Sequence, residues 1–104
     1  MYVYFIQAGR KGAIKIGVAR NIDRRIDCMQ TGNPFKLRLL AAIPCQSRTQ
    51  ALDLERKIHE RFARQRVRGE WFQNNIRMTR VESLLSYAQQ QEVELVANAK
   101  MIIG

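Results

Sequence analysis

Residues 2–18 read YVYFIQAGRKGAIKIGV. Two runs rich in Val, Ile, Phe and Tyr flank Gly9-Arg10-Lys11-Gly12, a pattern that makes a β-hairpin. The strands are expected over 2–7 and 13–18, with Gly9 and Gly12 free to take positive φ in the turn. Successive side chains of a strand point to opposite faces. Tyr2, Tyr4 and Ile6 therefore share one face and Val3 and Phe5 the other, while Ile14 and Ile16 oppose Lys15 and Gly17. If Val3, Phe5, Ile14 and Ile16 form the core side, Tyr4, Lys15 and Gly17 lie together on the opposite side. That register makes a polar, cationic face with room for a backbone or phosphate to approach Gly17. The same residues also fit a tyrosine packed in a sheet and a lysine on an edge strand, where it discourages aggregation.

Outward from the hairpin, Asn21 is suited to cap a helix, with Asp23 in the first turn where a carboxylate complements the dipole. The helix should run to about Gln30 on an apolar stripe of Ile22, Ile26 and Met29. Thr31-Gly32-Asn33-Pro34 stops it. Residues 36–43, KLRLLAAI, predict a third strand that ends at Pro44. Ser47 and Gln50 match a capping box, opening a helix from about Arg48 to Ala63 with Leu54, Ile58 and Phe62 on its buried face. Residues 63–75, ARQRVRGEWFQNN, fit an extended or turning segment. Thr79 and Glu82 match a second capping box, for a third helix with Val81, Leu84, Leu85 and Ala88 inside. Residues 92–104, EVELVANAKMIIG, are apolar and fit either helix or strand. The fold class is α+β, in the order β-β-α-β-α-α.

The chain of 104 residues argues for one domain, and its 46% apolar content is ordinary for a globular core. No apolar run approaches the ~18 residues of a membrane span, and the start lacks the pattern of a secretory signal. A soluble, cytoplasmic protein is expected. Cys28 and Cys45 make no disulfide framework and are expected as buried, reduced thiols. One histidine and two separated cysteines make a poor zinc set. The strongest global signal is charge: 18 Lys and Arg against 9 Asp and Glu, a net +9. Such an excess is the electrostatic footprint of a nucleic-acid binder. The basic residues are spread along the chain, unlike a membrane-surface helix.

Three further residues can carry chemistry. Arg25 follows Gly17 by one strand end and part of a helix, within reach of the same face, and its planar fork suits phosphate. Glu55 and His59 stand four apart on the second helix and so share a face. A carboxylate there could hold Mg²⁺, and the imidazole could polarise a water or a leaving oxygen. The alternative is an ordinary intrahelical Glu–His pair.

In their order along the chain, VYF, KIG, Arg25, Glu55 and the closing GEWF resemble the GIY-YIG nuclease superfamily. The likeness is nearest to its phage-type branch, in which KIG often stands for YIG, and MQTGNP, LERKIH and RGEWF add to it. The resemblance covers about residues 2–73. It implies a small three-stranded sheet flanked by helices, with residues 1–77 as the nuclease-like domain and 78–104 as a C-terminal helix and apolar tail packing on that domain or a partner. It also implies metal-dependent hydrolysis of DNA phosphodiesters with one Mg²⁺ or Mn²⁺ ion. By position, Tyr4 matches the first tyrosine, Lys15 stands where most members carry the second, and Gly17 matches the signature glycine. Arg25 matches the helix arginine and Glu55 the metal-binding glutamate, while His59 and Glu70 match residues typical of the branch. Asn74 and Asn75 are candidates for a late asparagine.

The mechanism implied has Glu55 holding the cation, Arg25 stabilising the phosphoryl oxygens and His59 ordering the water or assisting the leaving group. Either Tyr4 or Lys15 acts as base, and nearby cations would lower a phenol's pKa. Arg10, Lys11, Arg61, Arg64, Arg66 and Arg68 would track the phosphate backbone without reading bases. Trp71 is expected in the core, the other reading being a base-stacking surface. The rival readings are a non-catalytic DNA-binding module of the same fold, and an interaction domain forming a homodimer through the tail MIIG.

Overall fold

Tyr2–Ala8 (β1) and Ile14–Ala19 (β2) pair antiparallel with Tyr4 opposite Gly17 and Phe5 opposite Ile16, the register that unites Tyr4 and Gly17. A computed structural model describes residues 1–95. Ile22–Gln30 (α1) follows, and the Asn21 Oδ1 accepts from the Arg24 N–H at 3.0 Å. Leu37–Pro44 (β3) pairs with the other side of β1, so α1 carries the chain across one face of the sheet. Arg48–Arg61 (α2) opens on Ser47, whose hydroxyl accepts from the Gln50 N–H at 3.1 Å. The reciprocal arm falls one residue early, since the Gln50 side-chain Oε1 accepts from the Gln46 N–H.

The sheet has six strands rather than the three expected. A 3₁₀ turn at Ala63–Gln65 leads into Arg66–Arg68 (β4) and Trp71–Phe72 (β5), and Glu94–Leu95 (β6) pairs with β3. The order is β4-β5-β2-β1-β3-β6, and every pairing of neighbours is antiparallel. The core of the sheet is the expected trio β2-β1-β3. The added strands are two or three residues long, too short to carry a period of their own.

Both faces of the sheet are covered. On one, Val3, Phe5, Ile14, Ile16, Leu40 and Ile43 pack with Ala51, Leu54, Ile58 and Phe62 of the α2 region and with Ile76, Met78, Val81 and Leu85. Each fully buried Ile or Phe there is worth roughly 1.5–3 kcal/mol. On the other face Tyr4, Ile6 and Leu37 meet the α1 stripe Ile22, Ile26 and Met29, joined by Trp71. The face expected to be polar is thus mostly apolar, and Tyr4 is only 1% exposed. A register shift between Phe5 and Ile6 leaves Leu40 as an extra residue in β3. The bulge moves β3 from serving the second face with Leu37 and Leu39 to serving the first with Ala41 and Ile43.

The expected third helix is two short ones, Met78–Glu82 (α3) and Tyr87–Glu92 (α4). Thr79 is not the cap. Burial of Met78 draws the helix start back to Arg77, which leaves Thr79 inside the first turn. The full capping box belongs to Ser86 and Gln89, and Ala88 is exposed rather than inside. The cysteines also depart from expectation: Cys28 is exposed, off the α1 stripe, and Cys45 is only partly buried. Among the described residues no helix is long and apolar enough to cross a membrane. Residues 96–104, which include the tail proposed for dimerisation, lie outside the described residues.

Candidate active site

Four elements and the turn between β4 and β5 deliver side chains to one open cleft of about 220 Å³, lined by Tyr4, Val18, Arg25, Arg48, Leu52, Glu55 and Glu70. Tyr4 comes from the central strand. A Cβ built on Gly17 would lie 2.5 Å from the Tyr4 hydroxyl, 2.7 Å from its Cζ and 3.3 Å from a Glu70 carboxylate oxygen. The space at Gly17 is therefore filled by the phenol, not left open to a phosphate backbone. Arg25 arrives because α1 starts directly after β2, and Arg25 is on its exposed side. Glu70 follows the Gly69 turn, where φ is +54°, and its carbonyl accepts from the Ile16 N–H at 3.0 Å. That bond fixes Glu70 beside Gly17.

Electrostatics at the cleft centre on two carboxyls. Burial, then the negative charge of Glu70 and a hydrogen bond to it, push Glu55 up to about 7, with Lys15 pulling the other way. Two carboxyls this close resist ionising together. Lys15 Nζ stands 3.8 Å from Glu70 and 5.9 Å from the centre of the Trp71 ring. Tyr4 is pushed up to about 12, chiefly by burial and then by Glu70, with Arg25 opposing and Glu55 adding a smaller rise. The expected lowering by nearby cations is outweighed. At neutral pH the phenol keeps its proton and acts as a donor.

His59 sits beside the pair. One ligand atom each from Glu55, His59 and Glu70 lie within 4.8 Å of one another. The imidazole is already oriented: Nε2 lies 2.9 Å from the Ile16 carbonyl and Nδ1 3.3 Å from an Arg66 nitrogen. A carbonyl only accepts and a guanidinium only donates, so the proton is on Nε2 and the lone pair on Nδ1. An edge contact with Phe72, 4.9 Å between ring centres, completes the seat. The donors fit a hard divalent cation, which prefers carboxylate oxygen and retains waters. The observation behind that fit is a hydrogen-bonded pair of acids beside an imidazole, their donor atoms mutually within 4.8 Å.

The structure brings together Tyr4, Gly17, Arg25, Glu55 and Glu70, with Lys15 and His59 at the margin. Of the six expected DNA-tracking residues, only Arg66 adjoins this region, over Glu55 and His59. Arg10, Lys11 and Arg68 line a separate, larger cleft. Arg61 is tied to the Arg80 carbonyl and Ser83, and Arg64 is nearby. Asn74 donates to the Lys11 carbonyl at 2.8 Å and lies outside the site, and Asn75 is exposed. Sequence reasoning missed Arg48. Positions 48, 52, 55 and 59 recur at helical spacing on one face of α2, a signal that would have found it.

A family model described as the T5orf172 domain matches residues 1–92. No curated protein and no solved structure matches the chain.

Proposed function

The chain belongs to the T5orf172 domain family, found in phage-type, GIY-YIG-like endonuclease-related proteins and associated with nuclease and DNA-binding functions, and from that premise we propose a metal-dependent DNA endonuclease. The observation that carries the reading is the convergence of a phenol, two guanidinium groups and a pair of carboxyls in one open cleft. Arg25 and Arg48 bind the phosphate, Arg25 by the bidentate fork that also meets charge growing on its oxygens. Glu55 and Glu70 would hold one Mg²⁺ or Mn²⁺ ion, which would supply Lewis acidity to the ester and offset the two carboxylates that help keep the Tyr4 proton in place. Tyr4 orients the attacking water through its hydroxyl and is the base that would take the water's proton once a cation offsets those carboxylates. Lys15 keeps Glu70 in position and is the alternative base. His59, which donates through Nε2 to the Ile16 carbonyl, offers only its Nδ1 lone pair, shared with Arg66, to a water.

A second reading, a DNA-binding module that does not cut, is favoured by one observation: the Tyr4 phenol is held at about 12, far from a neutral-pH base. Supercoiled plasmid with Mg²⁺ or Mn²⁺ separates the two. The nuclease reading expects nicking or linearisation by the parent and at least a hundredfold less by Glu55→Gln or Arg25→Ala, in the range seen when one charge-stabilising group is removed. Salt-sensitive binding with no cutting under either metal leaves the module.

A further inference from the structure

Beyond the acidic cleft lies a wider one of about 760 Å³, bounded by the hairpin turn, the loop before β3 and the β4–β5 edge. Its volume is within the roughly 300–1,000 Å³ of small-molecule sites. Its walls combine Phe35, Val67 and Trp71 with Arg10, Lys11 and Arg68. Phe35 and Val67 are each 60% exposed.

The cleft is built rather than incidental. Gly9 N–H donates to the Lys36 carbonyl at 2.9 Å, the Gln7 amide to the Gly12 carbonyl at 3.0 Å and Asn74 to the Lys11 carbonyl at 2.8 Å. On the opposite wall the Phe35 N–H donates to Asn33 at 3.0 Å and its carbonyl accepts from the Gln30 amide at 2.9 Å. Both walls are thus preformed. The Phe35 ring stands over Gly9, where an added Cβ would lie 3.7 Å from it. Lys15 joins this cleft to the acidic one, reaching Trp71 on one side and Glu70 on the other.

We propose that this cleft takes an unpaired nucleobase of the DNA strand bound at the acidic site. The inference rests on the chain binding DNA at the acidic site. A flat aromatic body with an anionic backbone is the occupant that matches apolar walls rimmed by three cations. Aromatic side chains stack any base, while lysine and arginine follow its phosphates. The active cleft would then prefer DNA with a frayed, bulged or single-stranded nucleotide beside the cut.

The chain has one tryptophan, so all tryptophan emission comes from Trp71, which lines this cleft. With chelator present to prevent cutting, the full chain is titrated at low salt with single-stranded oligothymidylate, a duplex of equal length and an abasic strand of equal phosphate count. Oligothymidylate is expected to quench Trp71 and to bind roughly 5- to 100-fold more tightly than the abasic strand, the worth of one stacked base. Phe35→Ala should abolish that preference while leaving the abasic affinity unchanged, and Phe35→Tyr should retain it. Equal binding of the two strands, a preference that survives Phe35→Ala, or equal quenching by polyglutamate would overturn the proposal. Loss of plasmid cutting with the base preference intact refutes the nuclease reading and leaves this one standing. Cutting without base preference refutes this one alone.

Discussion

Replacing Gly17 by alanine tests the geometry of the acidic cleft most directly. Gly17 is not among the glycines with positive φ, which are Gly9, Gly32 and Gly69, so the substitution adds no backbone strain. Its whole effect comes from one methyl group placed 2.5 Å from the Tyr4 hydroxyl and 2.7 Å from its Cζ. Tyr4 cannot give way easily, because it is 1% exposed and packed between α1 and the sheet. Overpacking of this kind costs about 1–3 kcal/mol, which for a domain of this size lowers the melting temperature by roughly 5–20 °C. The phenol must also leave its position beside Glu70, so plasmid cutting should fall with stability. Tyr4→Phe in the Gly17→Ala background removes the closest contact and leaves the Cζ contact. About half the lost stability should return, as a coupling between adjacent residues that a double-mutant cycle measures. Urea unfolding followed by Trp71 emission gives the four free energies. Gly17→Ala as stable and as active as the parent would refute the register that puts the hydroxyl against Gly17.

Three other outcomes follow from the same coordinates. Because Glu55 holds its proton more tightly folded than unfolded, it favours the fold at low pH, and that contribution is lost as pH rises from its ordinary 4.5 through about 7; in chelator, the melting temperature of the parent should fall across this window more steeply than that of Glu55→Gln. His59→Ala strands the Ile16 carbonyl and should cost about 1–3 kcal/mol in urea unfolding, whereas His59→Gln, which keeps a donor, should cost less. Ser86→Ala should cost about 1 kcal/mol and Thr79→Ala less than ~0.5 kcal/mol, in line with which residue caps its helix.

What could be read in the sequence was whatever repeats or punctuates. The hairpin showed through alternation, α1 through its stripe and the Asn21 cap, and α2 through Ser47 and the spacing of Leu54, Ile58 and Phe62. Strands of two or three residues have no period and exist only through pairing, so β4, β5 and β6 were invisible. Thr79–Glu82 and Ser86–Gln89 match the same capping formula, and only the burial of Met78 chooses between them. That Tyr4, Arg25 and Glu55 would be neighbours was legible through the family resemblance of their order along the chain, and they do line one cleft. The state of the phenol was not, because it depends on burial under α1 and on Glu70, a neighbour distant in sequence.

The two acids do not stand on equal ground. Glu55 rides a fourteen-residue helix seated on the core, whereas Glu70 belongs to the short hairpin of β4 and β5 at the rim of the sheet. Sheet rims open locally at far lower free energy than the centre. What holds this hairpin down is Phe72, two residues beyond Glu70 and fully buried in the core. The spacing of the two acids, and the walls that the hairpin lends to both clefts, therefore hang on that one aromatic anchor.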